Sequence, residues 1–159
     1  MESARPATLG DLTRIAELAE RAVAELAVTK GGAVWSRREA RAKPYADSLR
    51  ADLEATDHHL LVGEFAGAVV GYAVVRAEVL RDGGILGVID DIYVEPEARE
   101  VGVGEALMDG VEQWCRSRRC IGIDALALPG NRETKNFFET FGLVARAIVV
   151  HRPLGDDPA

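Results

Sequence analysis

Apolar residues at Leu12, Ile15, Leu18, Ala19, Ala22, Val23 and Leu26 recur at the spacing of a helix with one buried stripe. Asp11 stands before them as the N-cap candidate, and Lys30-Gly31-Gly32 ends the pattern. A polar, Arg-rich helical stretch follows from about Ser36 to Ala55, and Pro44 within it predicts a new helical start or a kink. From His59 the period changes. HLLVGEF and AVVGYAVVRAEVL are β-branched apolar runs joined at Ala66-Gly67, which predicts an antiparallel hairpin. Arg81-Asp82-Gly83-Gly84 predicts a second turn, and ILGVIDDIYV a third long strand that stops before Pro96. Helical spacing then returns, with Val103, Ala106, Leu107, Gly110, Val111 and Trp114 on one face and Glu105, Asp109, Glu112 and Arg116 on the other. IGIDALAL predicts a strand, Asn131 to Phe141 a short helix closed by Gly142, ARAIVVHR a last strand, and RPAT a short first one. No repeat or linker divides this order, so residues 1–154 are expected to form one domain and 155–159 a loose tail.

Composition narrows what such a domain does. With 159 residues, 48% hydrophobic and 28% charged, the chain can bury one core and is not of disordered type. Its net charge of −7 argues against a non-specific grip on nucleic acid or an anionic membrane and fits a neutral or cationic small partner. Cys115 and Cys120 have no companion at metal spacing, which predicts reduced, structural thiols and no metal site. No run has the length of a signal core or a membrane span, and a cytoplasmic location is the expectation.

The chemistry concentrates where the third strand gives way to the long helix, in EPEAREVGVGEAL. A helix N-terminus offers unpaired N–H donors and partial positive charge. Gly102 and Gly104 carry no side chain to obstruct those donors, and Arg99 adds a fixed cation, so a phosphate or pyrophosphate is the natural occupant. Two such glycines also occur as turn and packing residues alone. Glu105 and Ala106 follow Gly104 where a P-loop has lysine and a hydroxyl residue, and the third glycine of a Rossmann fingerprint is missing.

IYVEPEAREVGVGEAL resembles the GNAT superfamily of acetyl-CoA-dependent N-acetyltransferases, in which an apolar strand and Val-x-Pro lead into Arg-x-x-Gly-x-Gly at the start of a long helix. LPGNRETKNFFETFGL is similar to a later family segment, with Asn131, then Phe138, then Gly142. The resemblance spans nearly the whole chain. It implies an α/β (α+β) fold with a mixed, mostly antiparallel sheet of six to seven strands flanked by about four helices. It implies acetyl-CoA as acyl donor, with the backbone of Glu100, Val101, Gly102, Val103, Gly104 and Glu105, beside Arg99, on the pyrophosphate. Ile92, Tyr93 and Val94 would run along the pantetheine arm, and Asn131 and Phe138 would border the cofactor. Two positions depart from the pattern: Glu100 stands where many members have Gly or a basic residue, and Phe138 where many have a Tyr that protonates the leaving thiolate. Tyr93 is one substitute donor.

Acyl transfer to nitrogen needs a free lone pair. An alkyl ammonium of pKa near 10.4 leaves about one molecule in 2,500 neutral at pH 7, a scarcity that costs about 4.6 kcal/mol. A carboxylate near the acceptor can take that proton. Asp90-Asp91-Ile92-Tyr93-Val94 resembles the corresponding run of spermidine/spermine and related small-amine acetyltransferases, whose first acidic residue is the proposed base, which selects Asp90 first and Asp91 second. Strict strand alternation would let only one of them face the acceptor. Asp57 and the Glu25 region could add charge to the pocket, His58 and His59 could edge it and Trp35 could wall it, while His151 reads as structural. The expected function is acetyl transfer to a primary amine of a small molecule or peptide. An acyl-CoA-binding or regulatory module of the same fold is the alternative, and a homodimer is expected by analogy with the fold.

Overall fold

A computed structural model describes residues 1–155. Strand β1 (Glu2–Pro6) leads through a single 3₁₀ turn (Leu9–Asp11) into helix α1 (Leu12–Ala27), followed by α2 (Gly32–Arg38) and α3 (Tyr45–Glu54). Strands β2 (His58–Phe65), β3 (Ala68–Val79) and β4 (Ile85–Val94) come next, then a 3₁₀ turn (Pro96–Ala98), helix α4 (Val103–Ser117), strand β5 (Gly122–Ala125) and helix α5 (Arg132–Thr140). The sheet runs in chain order, β1-β2-β3-β4-β5. The first three pairings are antiparallel, whereas β4 and β5 are parallel and joined by the α4 crossover.

Two apolar layers cover the two faces of this sheet. On one, Val103, Leu107 and Val111 of α4 and Phe138 of α5 meet Leu61, Ala73, Val75 and Ile89. On the other, Ile15, Leu18 and Ala19 of α1 and Leu49 of α3 meet Leu60, Val62, Tyr72 and Val74. The alternation of β2 and β3 thus sends successive side chains into different layers, as a strand buried on both sides requires. Cys115 is buried, and its thiol is pushed up to about 12 by that burial and by the neighbouring Cys120, so it is an unreactive part of the α4 layer.

Several expectations are corrected. The sheet has five strands among the described residues, not six to seven: ARAIVVHR, residues 145–152, forms no ladder, and its Ile148 and Val150 are 84% and 89% exposed. Helices among the described residues number five rather than four because Pro44, with its fixed φ and no N–H, divides the Arg-rich stretch. Asp11 does not cap α1. Its carboxylate accepts from the Thr8 amide (2.8 Å) and hydroxyl (3.1 Å) at the start of the 3₁₀ turn, and from two nitrogens of Arg5 (2.8 and 3.0 Å). Of the expected tail, Asp156 to Ala159 lie outside the described residues.

The Arg5 guanidinium is the main reason that the Asp11 carboxyl lies at about 2, with the Thr8 donors adding to it. A depressed folded pKa stabilises the fold fully above the ordinary carboxylate range and ceases to do so as pH falls through the folded value. Asp11→Asn is therefore expected to cost on the order of 1–2 kcal/mol at neutral pH, a difference that closes between about pH 4 and pH 2. Urea unfolding of both proteins across that range checks it, and a pH-independent difference would count against the Arg5 pair.

Candidate active site

Strand β4 carries one residue more than β3 allows. Val74 lies opposite Asp91 and Val75 opposite Ile89, so Asp90 is the extra residue of a β-bulge. Side-chain alternation breaks there. Ile89 and Ile92 both turn toward the α4 layer, while Asp90 and Asp91 both turn toward α3. The expectation that only one aspartate could face a given side is overturned by this insertion.

The two carboxylates have different surroundings. Asp91 is held on both oxygens by Arg41 (Nε 3.0 Å, Nη2 2.8 Å), and its Oδ2 also accepts from the Tyr72 hydroxyl at 2.8 Å. Arg41 is only 5% exposed and also lies 2.7 Å from Asp52. Burial and the adjacent Asp91 push the Tyr72 hydroxyl well above the phenol range, which keeps it a donor. Among the described residues Asp90 receives a single hydrogen bond, from Arg76 Nε at 3.0 Å, with His58 Nε2 4.0 Å away. Burial raises its pKa, partly opposed by Arg76. His58 also faces Asp52 at 3.4 Å and Asp57 at 2.7 Å. Asp91 is thus a fully engaged structural anion, whereas Asp90 keeps lone pairs for another partner.

The bulge also marks where β4 and β5 part. Their parallel ladder covers Leu86 to Ile89 against Gly122 to Ala125 and goes no further, so from Asp90 to Val94 the β5 side of β4 has no strand partner. The chain then enters α4 through the glycine junction. Gly102 has φ +88° and lies against the Glu2 side chain, a conformation that glycine adopts without strain. Gly104 is tighter, since a Cβ there would come within 2.8 Å of the Phe137 ring. Its missing side chain therefore serves packing first. The amides of Glu100 to Glu105 donate to no backbone carbonyl among the described residues, and Glu100 is exposed, so its charge stays in water.

Helix α1 grips this junction from the side. Arg14 and Arg21 both pair with Glu95, Arg14 Nε also donates to the Val69 carbonyl, and Glu25 takes Arg99 Nη2 on both oxygens at 2.8 and 2.9 Å. Arg99 also donates to the Val94 carbonyl and covers the Tyr93 ring at 5.5 Å. Tyr93 is 8% exposed, its hydroxyl raised by burial and by Glu25. Asn131 caps α5 by accepting from the Thr134 amide at 3.2 Å, and Phe138 is a core residue edge-on to Phe137. Of the secondary candidates, Asp57 and His58 join the aspartate cluster and Glu25 the junction. His59 instead stacks on Trp114, and His151 is exposed. Arg41, Asp52, Tyr72 and Arg76 were not anticipated. Tyr72 and Arg76, two polar ends in an apolar β3 run and four residues apart on one face, carried a readable signal; Arg41 and Asp52 carried none.

The profile of the acetyltransferase (GNAT) family matches residues 20–143, and the chain belongs to that family. Similar solved structures show the same fold. One is AAC(6')-Iy in complex with the bisubstrate analogue CoA-S-monomethyl-acetylneamine, 16% identical, covering 96% of this chain and 97% of that one, TM-score 0.73. Another is the ribosomal-protein-alanine N-acetyltransferase of Brucella melitensis biovar Abortus 2308, 18% identical over 98% and 100%, TM-score 0.68. A third is a transcriptional regulator from Bacillus halodurans C-125, 22% identical over 97% and 100%, TM-score 0.69. No curated protein sequence matches the chain. Membership makes the protein an acyltransferase, and no helix among the described residues is long and apolar enough to cross a membrane.

The Arg41 network sets an order of sensitivities. Arg41→Met strands two carboxylates and is expected to cost about 3–5 kcal/mol, whereas Tyr72→Phe removes one charge-assisted hydrogen bond and is expected to cost about 1.5–3 kcal/mol. Chemical denaturation measures both, and an Arg41→Met loss below that of Tyr72→Phe would refute the network.

Proposed function

We propose that the protein moves the acetyl group of acetyl-CoA to a primary amine of a small molecule or peptide, by direct attack within a ternary complex. The observation that carries this reading is the bulge itself: Asp90, with one hydrogen bond among the described residues, stands where β4 parts from β5, with the α4 N-terminus at the far end of the unpaired strand edge.

Acetyl-CoA supplies an activated acyl carbon. The residues present suit it. Unpartnered amides from Glu100 to Glu105, with Val101, Gly102, Val103 and Gly104 between them, would take the pyrophosphate at a positive helix end. The free edge of Ile92, Tyr93 and Val94 would take the amides of the pantetheine arm in strand fashion. Arg99, held by Glu25 and the Val94 carbonyl, would fix the loop in that shape, and Asn131 and Phe138 would border the arm from α5. Asp90 would attract the acceptor ammonium and take its proton, directly or through a water, freeing the lone pair to form the new N–C bond as the C–S bond breaks. Its raised pKa strengthens it as a base, and its carboxylate neighbours Asp52 and Asp57 favour a cationic acceptor. Phe138 offers no proton and Tyr93 lies under Arg99, so the departing thiolate, whose pKa is near 8.5, would be protonated by water.

The first test is release of free CoA thiol from acetyl-CoA over a panel of polyamines, aminoglycosides, amino acids and short peptides, with calorimetric binding of acetyl-CoA in parallel. Turnover with one amine class is expected. Binding without turnover across the panel would instead support an acyl-CoA-binding module, and absence of binding would sink both. Asp90→Asn is expected to lower kcat by about 10²–10⁴ and leave acetyl-CoA binding intact. Arg76 lowers the Asp90 pKa, and a base works only above its pKa. Arg76→Met is therefore expected to shift the acidic limb of the pH–rate profile to higher pH, and an unmoved limb would remove Asp90 from the role. Arg99→Ala should raise the KM for acetyl-CoA about tenfold or more, with a smaller effect on kcat.

A further inference from the structure

His58 of β2, Arg76 of β3 and Asp90 of β4 stand side by side on three successive strands. His58 lies opposite Arg76 in the β2–β3 register, and Arg76 Nε donates to Asp90 Oδ1 at 3.0 Å. That bond leaves Asp90 Oδ2 as the oxygen able to take a proton, and His58 Nε2 lies 4.0 Å from it. The ring is fixed from its other side. Its Nδ1 is 2.7 Å from Asp57 Oδ1, and because a carboxylate can only accept, Nδ1 carries a hydrogen and Nε2 is the basic nitrogen of the neutral ring. Asp52 Oδ1 is 3.4 Å from the same Nε2, but Asp52 is pinned at 2.7 Å by the buried Arg41. The Asp57 side chain is 62% exposed, so this row of groups runs from the half-buried Asp90 to open water.

Acetyl transfer, the reading on which this step rests, would leave one proton on Asp90 in every turnover, and the carboxylate must shed it before it can act again. Bound acetyl-CoA and acceptor would cover its cleft side. We infer that His58 carries that proton away from Asp90 and delivers it to solvent beside Asp57. The O–H bond at Asp90 Oδ2 breaks as an N–H bond forms at His58 Nε2, and the Nδ1 proton of the resulting imidazolium passes by way of Asp57 to water. The ring then regains its first tautomer by exchange with water. One proton enters and one leaves, and His58 acts through Asp90 without touching the substrate. The 4.0 Å separation belongs to the unliganded site, and such catalytic contacts tighten when substrate is bound. The other charged groups about the ring are Asp52 from α3, Arg76 from β3 with its partner Glu78, and Arg118 at the end of α4, which donates to the Thr56 carbonyl. Neither arginine can accept a proton and Asp52 is held by Arg41, which leaves the imidazole as the carrier.

The variant that tests this is His58→Asn, whose amide keeps an N–H for Asp57 but cannot carry a proton, and its near-ultraviolet circular dichroism is expected to match the wild type. An NMR titration of aspartate carboxyl carbons, with Asp90→Asn to identify the signal, reads the contact without any substrate. Burial raises the Asp90 pKa while Arg76 and His58 hold it back, so its midpoint should move to higher pH in His58→Asn. With an amine that turns over, His58→Asn should lower kcat about tenfold or more at an unchanged KM for acetyl-CoA. Its kcat should then climb with the concentration of imidazole buffer, while the wild-type rate stays independent of buffer; a merely structural histidine would show no such dependence. An Asp90 midpoint indifferent to His58, or a variant whose rate is unchanged or unaffected by imidazole, would overturn the relay and leave acetyl transfer standing. Absence of turnover by the wild type itself would instead bring down acetyl transfer, and the relay with it.

Discussion

One inserted residue organises the aspartate cluster of this molecule. Because Asp90 has no counterpart in β3, β4 changes its side-chain phase in mid-strand and twists away from its neighbour. A regular strand would have sent one aspartate into the apolar α4 layer, where an unpaired carboxylate is costly. The bulge places both on the α3 side, where Arg41, Arg76 and Tyr72 meet them. The β5 ladder ends at the same place and leaves half of β4 without a strand partner on that side.

The charges on that side divide the labour. Arg41, nearly inaccessible, binds Asp91 and Asp52 together and so ties β4 to α3 and to the segment before it. Buried ion pairs of this kind recover their desolvation cost only when every lone pair and proton is matched, and here two carboxylates and Ser48 meet one guanidinium while the Tyr72 phenol donates to Asp91. With its neighbour neutralised in this way, Asp90 adjoins a quenched charge rather than a second free anion. Desolvation, more than carboxylate repulsion, is then what raises its pKa.

Much of this was legible in the amino-acid order. The β2–β3 hairpin, the long β4 and the glycine junction followed from period and punctuation, because each is a local matter of a few neighbouring residues. The aspartate pair was visible, but its geometry was not: a bulge is a mismatch between two strands, and Val74 and Asp91 meet only after the sheet has formed. Arg41 lies fifty positions before its partner and sits in a run of surface-like arginines, so nothing local marked it as buried. The composition of the ARAIVVHR run predicts a last strand, and that expectation failed. Composition does not say which edge a strand pairs with, and among the described residues this run pairs with none.

The grip of α1 on the glycine junction has a consequence for how two ligands would sense one another. Arg14 and Glu25 sit at opposite ends of that helix and hold Glu95 and Arg99, while the layer beneath the helix rests on Leu49 of α3, the helix that also carries Asp52. Junction and aspartate cluster are therefore two ends of one lever. A ligand at one end that displaced α1 would be felt at the other, and such linkage would be reciprocal by thermodynamic necessity. The junction end of the lever is made of half-exposed ion pairs, so its stiffness is set by ionic strength, while the buried Arg41 end is screened far less.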